Sequence, residues 1–133
     1  CDDCQDVCPI NKYEERVENL NNRRSRSTVS ILNILEQDDE TLISKYGRWY
    51  IPQRDPRYLR RNALLVLGNI GTAQSKKVQA IVSHYLKSTD SMLRSYAVWT
   101  AKRLGLTNLL MGMENDGSKD VQRELALQVR QID

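Results

Sequence analysis

The chain has 133 residues, enough for one domain with a buried core. Hydrophobic residues make up 40% with phenylalanine absent, so the core must rest on Leu, Ile, Val, Ala and a few Tyr and Trp; no apolar run reaches the length of a membrane span. The net charge of +3 hides an asymmetry: residues 47–103 carry 11 Lys/Arg against 2 Asp/Glu, a local +9, whereas 1–46 carry 6 against 10 and 104–133 carry 3 against 5. A basic block between acidic flanks points to a polyanion partner, most commonly nucleic acid.

The chain opens on Cys1-Asp-Asp-Cys4-Gln-Asp-Val-Cys8-Pro9, and these are its only cysteines. Three thiols crowded at one end are neither a disulfide scaffold nor scattered core residues. The spacing C-x2-C-x3-C-P equals the last three positions of the bacterial ferredoxin-type run that ligates [4Fe–4S] clusters. Zinc is a rival, but it favours paired knuckles or added histidines, and the single histidine, His84, is far away in sequence. A redox disulfide is a second rival, although such pairs usually open a helix after a strand. The reading is an incomplete iron–sulfur segment over residues 1–12, with Cys1, Cys4 and Cys8 as cofactor and metal ligands.

Residues 13–26 are polar and charged, with Val17 and Leu20 as the apolar anchors, and read as a linker. Arg23, Arg24 and Arg26 in it read as solvated. From residue 27 onward the pattern is helical. Ser27 to Leu35 is a short apolar helix, and Asp38 and Asp39 cap a second one that runs through Tyr46 to a stop at Gly47. Arg48-Trp49-Tyr50-Ile51-Pro52 is an extended connector, because Pro52 disfavours helix before it; its two aromatics are expected to seal the end of the core.

Asp55 to Gly71 is marked at both ends. Asp55 caps, Pro56 suits the first turn, and Gly71 is expected to stop the helix in the left-handed conformation. Leu59, Ala63, Val66, Leu67 and Ile70 form the expected inward stripe. Small Ala63 and Gly68 leave room for a close neighbour. Thr72 to Lys87 follows as an antiparallel partner, with His84 a partly buried structural side chain. Asp90 or Ser91 opens the next helix, Leu106 to Met113 gives a short partner, and Lys119 to Ile132 is a terminal helix.

The central phrase repeats. A shift of 34 residues places Leu59, Arg60, Ala63, Ile70 and Gly71 on Leu93, Arg94, Ala97, Leu104 and Gly105, and a further 28 places Leu93, Ala97, Ala101 and Leu104 on Val121, Leu125, Val129 and Ile132. Helix pairs at such a period indicate an all-α, HEAT-like α-helical repeat, an α-solenoid over residues 27–133, in which each unit buries its apolar face against its neighbours.

The segment C-D-D-C-Q-D-V-C-P-I-N-K resembles the second cysteine motif of epoxyqueuosine reductases, cobalamin-dependent iron–sulfur enzymes that complete queuosine in tRNA. R-W-Y-I-P-Q-R-D-P-R-Y-L-R-R-N-A-L-L-V-L-G-N-I-G resembles the start of the helical-repeat tail of bacterial members. The two motifs stand in the family's order and together span nearly the whole chain. The resemblance implies that Cys1 and Cys4 ligate one [4Fe–4S] cluster while Cys8 crosses to a second, and that cobalamin and the catalytic acid belong to a region upstream. The family's first run, C-x2-C-x2-C-x3-C-P, is not in this sequence. The chain, read as a C-terminal fragment, is therefore expected to be non-catalytic and to hold sub-stoichiometric iron.

No nucleophile, phosphate loop or acid–base set stands out in residues 27–133, so the helices read as a binding surface. Arg54, Arg57 and Arg61 are expected to contact tRNA phosphates, with Arg60 and Arg94 divided between phosphate contacts and a ladder tying the repeats together. A cytoplasmic monomer is expected. The rival readings are a stand-alone helical-repeat nucleic-acid binder and a protein-binding scaffold.

Overall fold

Six α-helices and two short 3-10 turns make up the regular structure of the described residues, with no strand among them. The computed structural model describes residues 29–47 and 51–130. The helices are α1 (Ile31–Glu36), α2 (Asp39–Tyr46), α3 (Arg57–Ile70), α4 (Lys76–Leu86), α5 (Ser91–Arg103) and α6 (Lys119–Ala126), with 3-10 turns at Pro52–Arg54 and Thr107–Leu110.

Side-chain caps set most of the starts. Asp38 Oδ1 accepts from the Thr41 amide at 2.8 Å, and Asp90 Oδ1 from the Met92 amide at 2.8 Å. Asp55 Oδ1 accepts from the Arg57 amide at 2.9 Å, while Pro56 already holds helical angles (φ −64, ψ −14). Each satisfies an amide donor that the first helical turn leaves free. α4 starts four residues later than the apolar pattern implies, at Lys76. Ser75 donates its amide to Thr72 O (3.0 Å) and Gln79 Nε2 donates to Ala73 O (2.8 Å), so residues 72–75 close as a turn instead.

The helix ends differ more from expectation. Gly71 is extended (φ −72, ψ 161), not left-handed. Gly105 takes the left-handed conformation at a helix end (φ 71): its amide donates to Lys102 O and the Leu106 amide to Ala101 O at 2.8 Å, the paired bonds of a Schellman stop. Residues 106–113 give a 3-10 turn over Thr107–Leu110, not a helix. The last helix ends at Ala126 instead of Ile132, because Lys102 Nζ takes the carbonyls of Glu124 and Leu125 (both 2.8 Å) and also that of Leu127. An ammonium on those carbonyls satisfies the free acceptors of a helix C-terminus and removes the gain from another turn.

α5 is the central element. It packs against α3, α4, α6 and the second 3-10 turn, and α3 and α4 both also touch α1. Leu42, Leu64, Val82, Ala97, Val98, Ala101 and Val121 are fully buried. The inward face of α3 is Ala63, Leu64, Leu67 and Gly68. Val66 and Ile70, expected inside, are 39% and 71% exposed. Two polar groups are tied off within the core. Thr100 Oγ1 lies 3.0 Å from Leu64 O and 2.8 Å from Tyr96 O, and the Tyr85 hydroxyl donates to Leu35 O at 2.8 Å, joining α4 to the end of α1.

Candidate nucleic-acid interface

The arginines at the start of α3 divide into engaged and open groups. Arg60 reaches back to the start of α2, where its guanidinium pairs with Asp39 and donates to Gln37 O at 2.7 Å; only 12% of its side chain is exposed. Arg94, its counterpart on α5, donates Nε and Nη2 to the two oxygens of Asp116 (2.9 and 3.1 Å) and Nη1 to Ser88 O (2.7 Å). Arg94 is the first cause holding the Asp116 carboxyl below its ordinary range, ahead of the Ser118 amide. Both guanidiniums thus tie helix starts to neighbouring segments.

Arg57 is intermediate. Its Nε lies 2.9 Å from Asp55 Oδ2, its Nη1 3.7 Å from Asp90 Oδ2, and its Nη2 donates to the Tyr58 hydroxyl at 3.1 Å, with the side chain 42% exposed. Arg61 and Arg54 have no carboxylate partner among the described residues. Arg61 donates to Asn62 Oδ1 and stacks its guanidinium 5.4 Å from the Tyr58 ring centre and 5.9 Å from that of Tyr96. Arg54 is exposed in the 3-10 turn before α3, where Gln53 and Arg54 hold φ of 55 and 54. The result is a cationic edge backed by two tyrosines.

The edge leads into an open groove of about 500 Å³ between α3, α5 and α6, lined by Leu65, Met92, Ser95, Tyr96, Trp99, Asp120, Arg123 and Glu124. Leu65 stands one turn beyond Arg61 on α3. Trp99 can sit there because α3 offers Gly68: a Cβ at that position would lie 2.5 Å from Trp99 Cζ3. Arg123 pairs with Asp120. The Oε1 oxygen of Glu124 is covered and accepts no hydrogen bond.

No family model, curated protein or solved structure matches the chain.

The sequence points to the arginines of this surface but not to its aromatic and acidic members. Met92, Ser95, Tyr96 and Trp99 recur at helical spacing, which is also what a core stripe looks like, and Glu124 stands far from them in the chain. His84, expected to be partly buried, is exposed, with its ring edge-on to Tyr85 at 5.2 Å. Cys1, Cys4 and Cys8, Arg23, Arg24 and Arg26, and Arg48-Trp49-Tyr50 lie outside the described residues. Among the described residues no group of three or more His, Cys, Asp or Glu is placed to hold a metal, and no helix is long and apolar enough to cross a membrane.

Proposed function

We propose that the helical region binds RNA, and that the chain is the C-terminal part of an iron–sulfur epoxyqueuosine reductase whose HEAT-like repeats grip tRNA in the cytoplasm. The observation that carries the RNA reading is Arg61, a guanidinium with no carboxylate partner among the described residues, stacked on Tyr58 and Tyr96, with exposed Arg54 in the turn that leads into the same helix. Uncompensated cations beside aromatic faces are what a nucleic-acid backbone and its bases require. The paired use of Arg60 and Arg94, each on a carboxylate and a backbone carbonyl at a 34-residue separation, supports the repeat reading.

The reductase part rests on the cysteine motif and on the phrase that begins at Arg48. Three thiolates in C-x2-C-x3-C-P order are the donor chemistry that a [4Fe–4S] cluster takes, and such a cluster supplies single electrons when bound. Cys1 and Cys4 would hold one cluster and Cys8 another, the remaining ligands and cobalamin coming from upstream of the present sequence. The presence of a C-x2-C-x2-C-x3-C-P run just before Cys1 in the parent gene tests this, and its absence would remove the two-cluster assignment.

The RNA reading is tested by tRNA affinity measured across a series of salt concentrations. Arg54→Gln and Arg61→Gln should each weaken binding and flatten the log–log salt slope by about 0.7–0.9 per lost contact. An unchanged slope in the double variant would show that this edge does not hold phosphates. No tRNA binding at any salt would favour the protein-scaffold reading.

A further inference from the structure

The groove beside the cationic edge has a composition that phosphate binding does not explain. Its walls are the rings of Tyr96 and Trp99 with the side chains of Met92 and Leu65, and its far side carries Asp120 and Glu124 against a single arginine. Arg123 is already paired with Asp120, so the net character of the far wall is acidic. Carboxylates repel phosphates, yet the groove is continuous with the edge through Tyr96, whose ring carries the Arg61 guanidinium. A ligand that meets both regions must present negative charge at the edge and flat, donor-bearing, uncharged surface in the groove.

Glu124 narrows the choice. Its side chain lines the groove with Trp99 and Tyr96, and a carboxylate there can only accept hydrogen bonds. A ligand that brings an N–H to that carboxylate and a planar face to Trp99 uses both walls at once. We propose that this groove receives one unstacked nucleobase carrying an exocyclic amine, stacked on Trp99 and Tyr96 with its amine directed to Glu124, while the adjoining phosphates lie on Arg61 and Arg54. The proposal rests on the RNA reading and adds what that reading lacks, a place where a base is held.

The test uses the full chain carrying Trp49→Phe, so that emission reports Trp99 alone. Adenosine, cytidine and guanosine, which have amines and no phosphate, should quench it saturably at millimolar concentration, and uridine more weakly. Glu124→Gln should remove the preference for amine-bearing bases over uridine. In parallel, a hairpin RNA with an abasic loop should bind on the order of tenfold more weakly than the same hairpin with bases, at an unchanged salt slope.

The possible failures are distinct. Equal binding of the abasic hairpin, with no quenching by any nucleoside, overturns the groove proposal and leaves the arginine edge standing. Nucleoside quenching without binding of any RNA keeps the base site in the groove but overturns the RNA reading and, with it, the phosphate contacts on Arg61 and Arg54. Quenching by tetramethylammonium but by no nucleoside would make the groove a site for quaternary cations, and that also overturns the proposal.

Discussion

Arg60 and Arg94 stand at the same place in two helices, and each has its charge matched inside the fold. Arg94 makes the fuller set of bonds, with two oxygens of Asp116 and the Ser88 carbonyl, and its side chain is 18% exposed against 12% for Asp116. Asp116 also accepts from the Ser118 amide at 2.8 Å, so it fixes the turn that leads into α6. Its carboxyl titrates below its ordinary value of 3.8, first because of Arg94 and then because of Ser118. A depressed carboxyl binds fewer protons folded than unfolded, so its contribution is complete above the ordinary value and is lost as pH falls through the lower folded one. Asp116→Asn should therefore lower stability at neutral pH, by about 1–3 kcal/mol for charge-assisted bonds. It should also reduce the steepness of acid unfolding below 3.8, as urea melts at several pH values would report. An acid-unfolding curve with the parent's slope would mean that the pair is not held in solution.

At the scale of the helices, the position of α5 between α3 and α6 fixes how much substitution the fold tolerates. Ala97 is fully buried and Ala63 is 2% exposed, on the two helices that face each other. Ala97→Leu should overpack that contact and cost about 1–3 kcal/mol, read as a lower denaturant midpoint with an unchanged m-value. A midpoint equal to the parent's would mean that the α3–α5 register is different. The starts of α2, α3 and α5 were legible in the sequence because Asp38, Asp55 and Asp90 act within three residues of themselves, whereas that of α4 was displaced by the turn at 72–75. The phase of α3 was not. Ala-Leu-Leu-Val-Leu at 63–67 is apolar on several sides, so spacing alone does not choose between Val66 and Leu64 as the inward residue. The Trp99 ring chooses, since it needs the open place at Gly68 and turns that side of the helix inward. The end of α6 was hidden for a similar reason: Lys102, which closes it, is more than twenty residues away.

Across the whole molecule, charge and shape are sorted by region. Arg54 and Arg61, without carboxylate partners among the described residues, stand before and within the first turns of α3, Arg60 and Arg94 are matched by carboxylates from neighbouring segments, and the carboxylates of α6 border the groove. The basic block could be counted from the sequence, but which of its charges remain open could not. That depends on Asp39 and Asp116, which both lie outside residues 47–103. The groove was not legible because its walls come from residues 65 to 124 and meet only when three helices pack.

The turn before α3 sets two demands against each other at a single residue. Gln53 and Arg54 both hold the left-handed backbone that side chains resist, at about 1–2 kcal/mol each, and glycine would relieve this at an entropic cost of about 0.5–1 kcal/mol. Glycine at either position should thus raise the melting midpoint, by about 0.5 kcal/mol in stability. Gln53→Gly should do so with tRNA affinity unchanged, whereas Arg54→Gly should gain the same stability while losing a phosphate contact. If both variants kept full affinity, Arg54 would have no ligand. If only the second lost it, a selection for heat resistance would remove the very side chain that a selection for binding retains, and the strained backbone would persist as a compromise between the two.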